Sequence, residues 1–126
     1  MGSMSLDPEQ TARLLAIACD LAREGRTTEL LEFIDHGLPV DAIDPEGNTV
    51  LMLAAYRGRT ETVSALLAAD ADPDLQNNRG QTPLAGALFK GEDEVARALI
   101  AAGADLDAGV PSARAAAAMF GREHLL

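Results

Sequence analysis

Aromatic side chains are scarce in this chain: no tryptophan, one tyrosine and three phenylalanines among 126 residues, 3% of a sequence that is 48% hydrophobic. The apolar mass is therefore small, chiefly alanine and leucine. That suits closely packed helices better than a sheet, which favours β-branched and aromatic residues. Cysteine occurs once, as Cys19, which excludes an intramolecular disulfide and makes a reducing, cytoplasmic location the expectation. No apolar run approaches the ~20 residues of a bilayer-spanning helix, and the N-terminus lacks the basic and apolar stretches of a secretion signal. No membrane partner is expected. Cations are also few, 10 Lys plus Arg against 20 Asp plus Glu, for a formal charge of −10. That balance opposes a sequence-independent grip on nucleic acid.

What the chain does have is a period. Asp44-Pro45-Glu46-Gly47-Asn48-Thr49-Val50-Leu51 aligns with Asn77-Asn78-Arg79-Gly80-Gln81-Thr82-Pro83-Leu84, 33 residues further on. The same offset pairs Gly58 with Gly91, Glu61 with Glu94, Leu66 with Leu99, and Ala71-Asp72 with Ala104-Asp105. Counting backwards, it sets Gly25 under Gly58 and Phe33-Ile34 under Leu66-Leu67. One period across so many glycine and leucine positions marks a tandem array.

Each unit reads alike. A turn at 44–47 leads to Thr49, which can cap a short helix through Leu51, Leu53, Ala54 and Ala55 that stops at Gly58. A second helix from Thr60 to Ala69 carries Val63, Leu66 and Leu67 on one face. Thr82-Pro83 opens the next unit more strongly, since proline at the first helical position loses no hydrogen bond. At the head of the chain, Asp7-Pro8-Glu9-Gln10 predicts a capping box and a longer helix ending near Gly25. At the other end, Ser112 predicts a cap for a helix containing Ala115 to Met119, stopped by Gly121. Met1-Gly2-Ser3 ahead of Met4 reads as a vector remnant, so residues 1–6 are set aside as a flexible N-terminus. The expectation is one domain over 7–126, in units of about 7–43, 44–76, 77–109 and 110–126.

With these motifs in place, the chain resembles the ankyrin-repeat family. The likeness rests on Gly47-Asn48-Thr49-Val50-Leu51-Met52-Leu53-Ala54-Ala55, on Gly80-Gln81-Thr82-Pro83-Leu84 and on Ala102-Gly103-Ala104-Asp105. It implies an all-α solenoid of stacked antiparallel helix pairs, with short β-hairpin-like fingers and degenerate capping units at both ends. The family's usual Thr-Pro-Leu-His becomes Thr49-Val50-Leu51-Met52 and Thr82-Pro83-Leu84-Ala85 here. The histidine that ties the finger base to its neighbour is lacking, so weaker turn fixation is expected. The alanine tracts and the preference for arginine over lysine point by association to a GC-rich bacterial genome.

Chemistry is sparse. Cys19 falls on an apolar helix face and reads as a small buried hydrophobe. His36 suits the carbonyl end of a helix, and His124 has no companion. One cysteine and two separated histidines make no zinc set. Asp72, Asp74, Asp105 and Asp107 lack the glycine and closing glutamate of a calcium loop and read as solvated charge. No metal, cofactor or catalytic residue is assigned, and no enzyme activity is expected.

One register is less bland. Tyr56-Arg57, Phe89-Lys90 and Met119-Phe120 each precede a helix-ending glycine, and three of the four aromatics fall there. The resemblance implies that these positions line a concave surface beside finger tips carrying Pro45, Glu46 and Asn48, then Asn78, Arg79 and Gln81. Aromatics with flanking cations have the composition of protein-binding hot spots. The expected function is a non-enzymatic module, monomeric in isolation, that binds another protein through this face and the finger tips. Two alternatives stay open. One is a structural or regulatory subunit contacting partners through its terminal caps, above all the alanine-rich stretch 112–126. The other is a metal- or ligand-dependent enzyme.

Overall fold

Carboxylate, proline and glutamine start the first helix as their order predicts. Asp7 accepts the Gln10 amide at 2.7 Å while the Gln10 side chain accepts the Asp7 amide at 3.1 Å, and α1 runs Pro8–Glu24 to a left-handed Gly25. The computed structural model describes residues 7–126; the expected vector remnant at 1–6 lies outside the described residues. Further helices follow in pairs: α2 Thr27–Asp35, α3 Val50–Tyr56, α4 Thr60–Ala68, α5 Pro83–Lys90, α6 Asp93–Ala101 and α7 Ala113–Phe120. Thr49, Thr82 and Ser112 each accept a backbone amide three residues on, so the caps read from sequence are the caps that form. Where an eighth helix would complete the last pair, a single 3-10 turn, Glu123–Leu125, takes its place.

The helices make two layers. α1, α3, α5 and α7 stack side by side in one, α2, α4 and α6 in the other, and each α1–α2, α3–α4 and α5–α6 pair packs across the gap. Leu30, Leu51, Leu66, Leu84, Leu88 and Leu99 fill that gap and are fully buried. Covered on both sides and behind, α3 buries every residue from Val50 to Ala55. The terminal helices leave Ile17 and Met119 exposed. In the second layer a polar contact joins neighbours, as the buried Thr62 hydroxyl meets that of Thr27 at 2.7 Å.

The fingers correct the expectation. No β-strand forms among the described residues, so the units carry no β-hairpin-like fingers. Each reversal is closed by a side chain in place of a ladder. Asp44 accepts the amides of Glu46 and Asn48, both at 2.9 Å, and Asn77 accepts those of Arg79 and Gln81 at 2.9 and 3.1 Å. Within each loop one backbone pair crosses the neck, Asp44 N–H to Asn48 O or Asn77 N–H to Gln81 O. Between successive loops the backbone bonds are Asn78 N–H to Glu46 O and Val110 N–H to Gly80 O. These pairings are too few for a sheet and enough to keep the loops in register.

A second set of links runs through aspartates, of which Asp72, Asp74, Asp105 and Asp107 read from sequence only as solvated charge. Asp41 accepts the Asp72 amide at 3.0 Å and Asp74 accepts the Asp105 amide at 2.7 Å, each reaching 31 residues along the chain into the next unit. Asp107, one period beyond Asp74, instead binds the Arg114 guanidinium at 2.9 Å. Replacing Asp74 by alanine strips an acceptor from an inter-unit amide and should lower urea-unfolding stability by about 1 kcal/mol. Replacing Asp107 by alanine removes only an exposed ion pair and should cost less. Equal losses in the two denaturation curves would contradict this reading.

Candidate partner-binding cleft

Three helix ends converge on one surface because α3, α5 and α7 lie side by side and stop at equivalent points. Tyr56 ends α3, Phe89 and Lys90 end α5, and Met119 and Phe120 end α7. With Arg79 and Gln81 from the second loop they line a cleft of ≈ 410 Å³, within the size range of ligand sites. Phe89 is 64% exposed and Met119 62%, so neither serves as core. The Phe89 and Phe120 rings meet edge to face with centroids 5.1 Å apart, the arrangement that aromatic quadrupoles favour.

Tyr56 is held differently. Its ring rests on Gly86, where a Cβ would come within 1.7 Å of the tyrosine Cε1. Gly86 stands one period after Leu53, in the interior of α5. A glycine inside a helix costs roughly 0.5–1 kcal/mol relative to alanine, and here the space it leaves is the seat of a tyrosine. The Tyr56 hydroxyl is buried and has no hydrogen-bond partner, a deficit of about 1–3 kcal/mol for an unsatisfied group. Burial pushes the phenol up to about 12, with the nearby Arg79 charge opposing the shift, so the hydroxyl keeps its proton and remains a donor.

Charge at the cleft has one sign. Arg79 and Lys90 line it, and no aspartate or glutamate does. Arg79 touches Glu46 at 3.4 Å, and Lys90 makes no ion pair among the described residues. Arg57, expected here, is exposed at the end of α3 but outside the cleft wall. The finger-tip candidates Pro45, Glu46, Asn48 and Asn78 join loop to loop. Asn78 donates to Pro45 O at 3.1 Å and its amide to Glu46 O, while Asn48 accepts from Asn77 at 3.0 Å. Gly86, Ala116 and Pro111 also line the cleft without having been singled out. For Gly86 the signal was available, as a glycine inside a helical stretch.

Elsewhere the titratable groups do quieter work. Cys19 is buried, and its thiol is pushed up to about 11 by burial first and the Asp44 charge second, which keeps it from acting as a thiolate. His36 Nδ1 lies 2.7 Å from Glu32 O at the carbonyl end of α2. No group of three or more His, Cys, Asp or Glu side chains that could hold a metal occurs among the described residues. No helix among them is long and apolar enough to cross a membrane. A wider trough of ≈ 940 Å³ lies between α1 and the first loop, with Cys19, Ile43 and Pro45 in its wall.

The family profile for ankyrin repeats (3 copies) matches residues 14–109. The chain belongs to the ankyrin-repeat family. Similar proteins include oxysterol-binding protein-related protein 1 of Homo sapiens, 38% identical over 75 residues, which are 58% of this chain and 8% of that one. The E3 ubiquitin-protein ligase XB3 of Oryza sativa subsp. japonica is 45% identical over 51 residues, 40% of this chain and 11% of the ligase. An ankyrin repeat protein of Pseudomonas aeruginosa is 45% identical over 44 residues, 35% of this chain and 26% of the relative. The shared stretch is thus a small part of each relative. A bacterial relative gives the compositional hint of a bacterial source some weight. The ankyrin stack is a scaffold for protein–protein contacts and not a catalytic fold.

Two measurements test the Tyr56 seat. Gly86→Ala should destabilise the ankyrin stack even though alanine favours helix, whereas in a Tyr56→Ala background it should stabilise by roughly 0.5–1 kcal/mol. Additive effects in this cycle would show that the two residues do not share the space. Because Tyr56 is the one tyrosine, phenolate absorbance should titrate near pH 12 in the folded protein. The unfolded phenol ionises first, near 10, so this contribution to stability is whole below pH 10 and is lost as pH rises toward 12. A folded-state midpoint at 10 would remove the buried hydroxyl from the account.

Proposed function

We propose that this ankyrin-repeat chain is a non-enzymatic module that binds another protein through its concave first-helix face. Contact centres on Tyr56, Phe89, Lys90, Met119 and Phe120, with Arg79 and Gln81 contributed by the second loop. The observation that carries the reading is the Phe89–Phe120 ring pair standing open beside the exposed Lys90. A protein with four aromatics has placed two of them in solvent against each other. Exposed aromatic surface of this kind is otherwise a solubility cost, and aromatic anchors with a neighbouring cation dominate protein interfaces. The module works as a monomer in a reducing compartment such as the cytoplasm, in keeping with its one buried thiol. Nucleic acid and membrane surfaces are not its partners, given a net charge of −10.

Panning a phage-displayed random twelve-residue peptide library on the full chain tests the face directly. Recovered binders should lose affinity at least tenfold to a Phe89→Ala, Phe120→Ala variant that still unfolds cooperatively. They should keep it with Arg97→Ala on α6, in the other layer. Binders that ignore the two phenylalanines but fail when residues 122–126 are removed would shift contact to the terminal cap and overturn the proposal.

A further inference from the structure

The charge and hydrogen-bonding inventory of the cleft specifies its occupant more narrowly than its shape does. Carboxylates outnumber cations two to one along the chain, 20 to 10, yet the charged residues in the cleft wall are Arg79 and Lys90 alone. Most other cations are already engaged. Arg13, Arg23, Arg26, Arg114 and Arg122 pair with carboxylates on the same or a neighbouring element, and Arg59 donates to the Arg23 carbonyl. Among the described residues Lys90 has no such partner, and Arg79 has one long contact to Glu46. Tyr56, in the cleft wall, also carries a buried hydroxyl that the fold leaves unsatisfied. It is a donor, since the phenol keeps its proton to about pH 12.

We infer that the cleft receives an acidic side chain set next to a large apolar one on the partner's segment. The carboxylate meets Lys90 and Arg79 and takes the hydrogen bond of the Tyr56 hydroxyl, while the apolar neighbour lies against Phe89, Phe120 and Met119. The inference rests on the protein-binding reading of the same surface. Two observations support it independently. One is the local reversal of charge against a strongly acidic background, which favours an incoming carboxylate and repels a basic segment. The other is the glycine at position 86 inside α5, which seats the Tyr56 ring in the cleft wall at the expense of helix stability. An ordinary apolar tyrosine contact explains the ring but not the unpartnered hydroxyl. The hydroxyl is closed to solvent in the free protein, while Arg79 and Lys90 in the same cleft wall are exposed. Both can meet an incoming carboxylate, and the hydroxyl is reached when the Tyr56 side of the wall gives way to it.

The same peptide library decides the matter through the composition of its binders. Those that depend on Phe89 should be enriched in Asp or Glu beside Leu, Phe or Met, and should weaken as salt is raised from 0.05 to 0.5 M, concentrations set by the experimenter to span about a threefold change in Debye length. Lys90→Glu should weaken the best acidic peptide about tenfold. Tyr56→Phe should weaken it about fivefold while melting no lower than the parent, because it removes only the unsatisfied oxygen. Basic or uncharged binders that still need Phe89 would leave the binding face standing and overturn the acidic occupant. Binding untouched by Tyr56→Phe would overturn the role of the hydroxyl. Failure to recover any binder that needs Phe89 would overturn the face itself.

Discussion

Every helix pair in this molecule hides its leucines against the next pair, and that dependence on neighbours governs everything else. A helix of seven residues such as α3 is too short to persist alone. It is buried along nearly its whole length because α1 and α5 flank it and α4 lies behind. Small residues at Ala54, Ala55, Ala87, Ala116 and Ala117, all buried, let the helices of the first layer approach closely. Since burial is supplied sideways and from behind, the helix ends and the loop-facing edge of that layer are not needed for the core. Phe89, Met119 and Phe120 occupy those spare positions, so the stability cost of the cleft is confined to the seat of Tyr56 on Gly86.

Much of this was legible in the residues. The 33-residue spacing of the glycines and leucines set the number and length of the helices. Asp7, Pro8, Thr49, Thr82 and Ser112 marked their starts, because each cap is a local event between residues three apart. The loops were less legible. A hairpin-like finger and a loop closed by a side chain share the same turn residues. What separates them is that Asp44 and Asn77 satisfy the backbone amides a strand would have offered to a neighbour. The bonds from Asp41 to the Asp72 amide and from Asp74 to the Asp105 amide were missed for a related reason. They span 31 residues, slightly less than one period, and depend on how adjacent units sit, so Asp72, Asp74 and Asp105 looked like plain surface charge and Asp41 carried no signal.

The cleft was half legible. Position within the period placed Tyr56, Phe89, Lys90, Met119 and Phe120 in one register, and stacking then brought them to one wall. Pro45, Glu46, Asn48 and Asn78 lie outside the cleft wall and join loop to loop, Pro45 and Glu46 through their backbone carbonyls. Gly86 shows the converse. A residue with no side chain and no unusual backbone need carries the seat of Tyr56, and only its place inside a helical stretch marked it. A local rule broken inside an element is expected at functional sites, and here the helix-interior glycine, the buried hydroxyl and the two cations fall together.

The dependence of each unit on its neighbours is most directly measured by native-state amide hydrogen exchange along the chain. The account expects the amides of α3 and α5 to open only with the whole stack, at its global unfolding free energy. Amides of α7 and of the head of α1 should open earlier, from the two ends inward. If the α3–α4 pair opened and closed while its neighbours stayed protected, or if α7 were protected as fully as α3, the helix pairs would be holding themselves and the central claim would be wrong.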